Sequence, residues 1–256
     1  MIQKKFLIDL LPKPSHIPLR FHYWRIRGKH EREIFFLKDL IDTKKRAIDI
    51  GANIGIYSYA LSKLCEVVEA FEPQQWCAET LQAYSQFRRR NINVHNVGLS
   101  NSNSSLTLHI PVSAGICRYY LASFRQLEGE NKCVKVPVHR LDDYNFTDVS
   151  FIKIDVEGHE SEVIQGGRET ILREKPVLLV EIEQRHLGSK PIQKVFQEII
   201  DLHYEGSFLY KGKLHPLSEF SYEIHQKQFL DSTFSKVFIN KTNRSYINNF
   251  VFKPIK

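Results

Sequence analysis

From about residue 45 onward, short apolar runs alternate with stretches of helical spacing. Residues 46–50 read as a strand with an apolar centre, and Ile54, Tyr57, Leu61 and Leu64 follow at helical intervals. Residues 67–71 form a second apolar run, 76–88 a helix and 94–99 a third strand. The pattern then loosens. A polar run over 100–105 reads as a turn. Leu106, Leu108 and Ile110 alternate with polar neighbours, as do Val134, Val136 and Val138. Residues 105–140 therefore read as a hairpin-like insertion, with a loop or short helix over 114–132 between its arms. Regularity returns with a strand over 149–156, a helix over 160–173, a strand over 177–182 and a helix over 192–202. A hairpin turning at Lys211 and Gly212 and a closing strand over 246–252 complete the pattern. Strands alternating with helices predict a mostly parallel sheet with right-handed crossovers and helices on both faces.

Residues 1–44 stand apart from this repeat. Pro12, Pro14 and Pro18 are expected to break the first part, and a helix is predicted over 29–42 with Ile34, Leu37, Leu40 and Ile41 on one face. The chain thus divides into an N-terminal helical attachment, 1–44, and one α/β domain, 45–256. Its 256 residues suffice for a sizeable core. With 42% hydrophobic and 25% charged residues, disordered, collagen-like and disulfide-scaffold classes are excluded. No run approaches the ~18 uninterrupted apolar residues of a membrane helix. Asp9 and Pro12 interrupt the apolar start, so no signal peptide is read and a cytoplasmic location is expected. The four cysteines form no CxxC pair, which favours a reducing compartment. The net charge of +7 admits nucleic acid, an anionic lipid surface or a phosphorylated substrate without choosing among them. Its longest basic cluster, Arg88 to Arg90, suits a solvated helix end.

The chemistry concentrates in three stretches. In AIDIGANIGIYSY an apolar strand runs into Asp49, Gly51, Asn53 and Gly55 before a helix begins. Glycines there let the backbone approach a ligand closely. The spacing is D-x-G-x-x-x-G. A dinucleotide fingerprint would put glycine where Asn53 stands, so a pyrophosphate cradle is disfavoured. A carboxylate in the turn suits a cationic ligand such as S-adenosylmethionine. The second stretch, VVEAFE, ends in Glu72, 23 residues after Asp49. An acid at a strand's carboxyl end can accept both ribose hydroxyls. Glu69 is expected to face solvent. The third stretch, FIKIDVEGHE, delivers Asp155, Glu157 and His159 to the end of another strand, with Gly158 permitting a tight turn. Glu160 reads as a helix-start carboxylate.

Together these stretches, with NVGLSNSNSSLTL, VHRLDDY and the longer run FIKIDVEGHESEVIQGG, resemble the FkbM family of S-adenosylmethionine-dependent methyltransferases, in the family's order over about residues 45–185. The resemblance implies a class I, Rossmann-like fold: a seven-stranded, mostly parallel sheet whose last strand is antiparallel. It implies O-methylation of a hydroxyl, often on a sugar. Carried over by position, Asp49, Gly51, Asn53 and Gly55 would line the methionine end of the cofactor, Glu72 the ribose, and Asn96 and Gly98 the adenine. Asp155, Glu157 and His159 would lie on the acceptor side. The tails, HYEGSFLYKGKLHPL and YINNFVF, resemble those of members associated with glycan modification.

The expected function is therefore methyl transfer from S-adenosylmethionine to a hydroxyl of a carbohydrate, in a surface glycan or its lipid- or nucleotide-linked precursor. Tyr23, Trp24, Tyr204 and Tyr210 offer aromatic faces for sugar rings in the variable segments. No specific nucleic acid partner is expected, and peripheral membrane contact is left open. Two rivals remain: an RNA methyltransferase, favoured only by charge, and a non-catalytic S-adenosylmethionine-binding module. For the chemical step, Asp155 or His159 would take the hydroxyl proton. Alternatively Asp155 and Glu157, with or without His159, would hold magnesium or calcium. The metal-free route is preferred, because only two carboxylates and one histidine are visible locally.

Overall fold

The computed structural model describes residues 10–88, 91–113, 115–126, 129–230 and 245–255, so Arg89 and Arg90 of the basic cluster lie outside it. The chain runs α1 (Lys13–Ile26), α2 (Glu33–Leu40), β1 (Arg46–Ile50), α3 (Ile56–Leu61), β2 (Val67–Phe71), α4 (Gln75–Arg88), β3 (Ile92–His95) and β4 (Gly98–Leu99). Then come β5 (Ser104–Ser113), β6 (Ile116–Cys117), β7 (Asn131–His139), β8 (Val149–Ile154), α5 (Glu160–Gly166), α6 (Arg168–Glu174) and β9 (Val177–Glu181). The series closes with α7 (Ile192–Ile200), β10 (Tyr204–Tyr210), β11 (Lys213–Pro216), α8 (Tyr222–His225) and β12 (Asn249–Pro254).

The main sheet has the order β11-β10-β12-β9-β8-β1-β2-β3. Strands β9, β8, β1, β2 and β3 are parallel, and β12 is antiparallel to both β9 and β10. The expected antiparallel last strand is present. The hairpin adds β11 as an eighth strand at the edge, because Lys211 (φ 48°) and Gly212 (φ 81°) both take the left-handed backbone that a two-residue hairpin turn needs. Strand β1 is flanked by β2 on one side and β8 on the other, so the order reverses there. Ligands of such sheets bind outside the carboxyl ends at this point.

Alternation along the strands feeds two cores. Ile48, Ile50, Leu178, Val180, Phe250 and Phe252 pack with α5, α6 and α7 on one face. Ala47, Leu179 and Val251 pack with side chains of α1, α2, α3 and α4 on the other. At ~25 cal/mol per Å² of apolar surface, these two layers supply the main drive for folding.

Four expectations change. The prolines do not break the N-terminal segment: Pro14 sits in the first turn of α1, where a missing N–H costs nothing, and Pro18 lies inside the helix. An interior proline costs about 3 kcal/mol. Full burial of Ile17 and near-full burial of Phe21 offset it, at roughly 1.5–3 kcal/mol each. The predicted helix over 29–42 is shorter, Glu33–Leu40, with Ile34, Leu37 and Leu40 buried as expected. The third strand splits into β3 and β4, which join different sheets after a tight turn in which Val97 N donates to His95 O at 2.9 Å. The helix over 160–173 breaks at Gly166 and Gly167. A Cβ at Gly166 would lie 1.9 Å from Ser100 O, so the helix passes hard against the β4–β5 turn. The insertion is confirmed as a second sheet of order β4-β7-β5-β6, with β5 and β7 antiparallel.

Candidate functional site

The β1 end builds the first half of the site from local contacts. Asp49 is buried, and Ser58 Oγ donates to its Oδ2 at 2.5 Å. Burial pushes the Asp49 carboxyl up to about 6, against the pull of Ser58 and of Lys153. The N–H groups of Gly51 and Ala52 both donate to Phe71 O at 3.0 Å, which ties the turn to the end of β2. Gly51 (φ 77°) is required sterically, since a Cβ there would lie 1.8 Å from Asp155 O. Gly55 (φ 85°) is closed in likewise, its Cβ position being 2.5 Å from Leu81 Cδ1. Asn53 (φ 50°) accepts from Ile54 N at 2.7 Å through its own side chain, the local bond that lets asparagine tolerate this backbone.

Glu72 is clasped by the same turn. Asn53 N donates to Oε2 and Gln74 N to Oε1, each at 2.7 Å. The group is 2% exposed, and burial raises its carboxyl to about 7. Asn96 Nδ2 donates to the carbonyls of Glu72 (2.9 Å) and Pro73 (3.2 Å), so it fixes the backbone beside Glu72. Gly98 lies in β4, where a Cβ would meet Phe124 at 2.9 Å and Val138 at 3.1 Å; packing of the second sheet accounts for that glycine. Glu69 does not face solvent. It is buried and pairs with Arg46, with His95 Nε2 at 2.8 Å and with Asn93 at 3.1 Å. Though burial raises it, these partners hold its carboxyl below the ordinary value.

The β8 end builds the second half from distant pieces. Asp155 follows the strand directly, its N–H donating to Ile50 O at 2.9 Å, so it abuts the β1 turn. Glu157 has a left-handed backbone (φ 50°) and lies 2.8 Å from His186 Nε2. Burial lowers the His186 pKa, but the Glu157 carboxylate outweighs it and the net shift is upward. Oxygens of Asp155, Glu157 and Glu181 all lie within 4.8 Å of one another. Asn248 Nδ2 donates to Glu181 Oε1 at 2.8 Å. The insertion braces the turn: Ser123 Oγ donates to Glu157 O at 2.7 Å and Arg125 Nε to Gly158 O at 3.0 Å. His159 faces elsewhere. Its Nε2 is 2.9 Å from Ser100 Oγ, its Nδ1 3.5 Å from Glu162, and burial lowers its pKa. Glu160 is buried, accepts from Gly158 N at 2.8 Å, and is raised by burial to about 7.

Joining the halves is Lys153, which is fully buried on β8 in register with Asp49. Its Nζ lies 3.1 Å from Asn249 Oδ1 and 3.8 Å from Asp155 Oδ2, and 5.1 Å from the Tyr57 ring centroid. Tyr57 OH in turn donates to Glu31 at 2.8 Å, which brings the loop after α1 to the site. Sequence reading missed Glu181, Lys153, His186 and Glu31. Glu181 had a signal, since it ends an apolar strand as Glu72 does. Lys153 had another, a cation inside the apolar run FIKI. Glu31 and His186 had none. Of the aromatic candidates, Tyr204 is 1% exposed with its OH donating to Pro176 O at 2.9 Å, so it is unavailable to a sugar. Trp24 packs against the α1–α4 side core.

The oxygen-only set of Asp155, Glu157 and Glu181 has the chemistry to hold a hard divalent cation. Lys153 and His186 already face two of the three carboxylates, so their charge is balanced in part by the protein itself.

An eight-stranded class I methyltransferase sheet with paired acidic strand ends at its switch point defines the class of protein. Residues 49–210 match the model of the methyltransferase FkbM domain, and the chain belongs to that family. Among solved structures it is similar to methyltransferase FkbM from Methylobacillus flagellatus KT (18% identity, TM-score 0.50), covering 81% of this chain and 43% of that one. The chain thus spans less than half the length of that protein. A Streptococcus mutans protein solved in complex with S-adenosylhomocysteine shares 11% identity over 87% of this chain and 96% of that one, TM-score 0.46. An rRNA methylase from Streptococcus thermophilus shares 13% over 87% and 95%, TM-score 0.45. No curated protein matches. Among the described residues no helix is long and apolar enough to cross a membrane.

Proposed function

We propose that this chain transfers the methyl group of S-adenosylmethionine to a hydroxyl oxygen of a carbohydrate, in a glycan or its carrier-linked precursor. The observation that carries this reading is the meeting of the two halves: the Asp155 backbone touches Gly51, so a ligand held by Asp49 and Glu72 lies beside the Asp155–Glu157–Glu181 carboxylates. Each Glu72 oxygen accepts one backbone N–H, and its remaining lone pairs are free in number to accept ribose hydroxyls. Asp49 supplies the negative charge for the cationic methionine end. The electrophile is already activated in the sulfonium, so the protein chiefly aligns acceptor oxygen, methyl and sulfur, an effect worth up to roughly 7–11 kcal/mol. Asp155 takes the hydroxyl proton as the oxygen attacks, with Lys153 Nζ 3.8 Å from its carboxylate and His186 Nε2 2.8 Å from Glu157. A divalent cation on the three carboxylates would instead lower the hydroxyl pKa. Lys153 and His186, each facing one of these carboxylates, support the metal-free route.

The test incubates the protein with methyl-labelled S-adenosylmethionine and separate pools of lipid-linked glycan, nucleotide sugar and total RNA. Alkali-stable label in a sugar pool supports the reading. Label confined to RNA overturns it. Loss of transfer with EDTA, restored by magnesium, would replace the base route with the metal route.

A further inference from the structure

Helix α1 is apolar on two opposite faces. One side, Ile17 and Phe21, is buried in the core. Half a turn around the helix from that side, at spacing i, i+4, i+7, stand Leu19 (42% exposed), Tyr23 (38%) and Ile26 (84%). Leu11, 44% exposed, precedes the helix. Isolated exposed apolar residues need no explanation, but a second stripe opposite the buried one does.

Charge says what covers it. Between residues 10 and 32 the chain carries six Lys and Arg and a single acid, Glu31. That acid is turned inward to accept from Tyr57 OH. Arg25, Arg27 and Lys29 are exposed at the end of the helix. The whole chain has a net charge of only +7, so most of its basic excess gathers around this stripe. An apolar strip flanked by long basic side chains is the pattern that lies in the plane of an anionic membrane surface, with apolar side chains among the acyl boundary and cations at the headgroups. An acidic protein would match the charge but would not favour so extended an apolar strip beyond the cations. A second copy of this chain would bring Arg25, Arg27 and Lys29 against themselves.

We infer that the outer face of α1, with the basic turn that follows it, docks the protein on an anionic lipid surface. The same turn continues into Glu31 and the site, so docking sets the active end close to the headgroup layer. This inference stands on the helix alone. It neither needs nor proves the carbohydrate acceptor, and a failure to bind S-adenosylhomocysteine would sink the methyl-transfer reading while leaving this one untouched.

Full-length protein is sedimented with vesicles of phosphatidylcholine alone and of phosphatidylcholine with about one-third phosphatidylglycerol. Binding to the anionic vesicles only is expected, weakened as salt shortens the screening length. The triple variant Arg25→Glu, Arg27→Glu, Lys29→Glu should lose at least about 10²-fold in partition, at roughly five-fold per cation near the surface. The triple variant Leu19→Ser, Tyr23→Ser, Ile26→Ser should also fall off the vesicles. Both sets of residues are exposed, so melting curves and S-adenosylhomocysteine affinity should match the parent. Equal binding to neutral vesicles, no binding to anionic ones, unchanged binding by either variant, or a dimer in solution that the serine variant dissolves would each overturn the inference.

Discussion

The turn after β1 and the turn after β8 sit side by side, yet they are held in opposite ways. The β1 turn is closed from within residues 49–74: Asn53 by its own side chain, Glu72 by Asn53 and Gln74, Asp49 by Ser58. The β8 turn is closed by strangers: Ser123 and Arg125 from the insertion, His186 after β9, and Asn248 on Glu181 before β12. On the proposed reading the first turn serves the cofactor and the second meets the acceptor. The cofactor half should therefore survive changes that disable the acceptor half, and only residues shared by both should damage the two together.

Gly51→Ala attacks the shared contact. A Cβ 1.8 Å from Asp155 O on a left-handed backbone forces either β1 or β8 to move. A loss of at least about 3 kcal/mol in urea unfolding is expected, with both cofactor affinity and turnover impaired. A variant as stable as the parent would show that the two turns are not locked together.

Asp155→Asn separates the halves. Turnover should drop at least about 10²-fold while S-adenosylhomocysteine affinity stays within a few-fold. Near-normal turnover would remove Asp155 from the chemical step and leave Glu157 and Glu181, the other carboxylates of its cluster.

Glu72→Ala is the converse. Calorimetry should show nucleoside binding weakened by about 1.5–3 kcal/mol, and NAD binding no better than in the parent, with the acceptor turn unchanged. NAD binding comparable to S-adenosylhomocysteine binding in the parent would overturn the cofactor assignment.

Acidity offers a gentler lever on the same half. Glu72 is raised by burial to about 7, so it is largely protonated in the free protein at pH 6 and ionised at pH 8. A ligand that needs the ionised form should bind up to about tenfold tighter across that window and level off above it. Stability runs the other way. Glu33, Asp49, Glu72 and Glu160 are all raised by burial, to about 7, 6, 7 and 7, so the native state holds protons that the unfolded chain releases above about pH 4.5. The unliganded protein should melt higher at pH 5.5 than at pH 8, losing stability as pH rises through 6–7. A melting temperature that rises over this window would mean these carboxyls are ionised in the native state.

Ser123→Ala probes the brace on the acceptor turn. Losing the bond to Glu157 O should cost about 1 kcal/mol of stability and raise acceptor KM, with cofactor affinity unmoved. Equal loss of both would make the insertion a plain structural support.

Sequence by itself determined the repeat of strands and helices, the antiparallel closing strand, the family, and where Asp49, Glu72 and Asp155 stand in the chain. The repeat and the turn residues rest on local patterns, where side-chain alternation and left-handed turns leave a mark in the residue types, and the antiparallel strand followed from the family resemblance. Only the tertiary structure decided that Pro14 and Pro18 sit in a helix, that Glu69 is paired rather than solvated, and that His159 turns to Ser100. It alone brought Lys153, Glu181, His186 and Glu31 to the site. Burial and charge pairing across 23 to 218 positions of chain settle those outcomes, and their energies depend on which segments meet, a quantity that no local pattern carries.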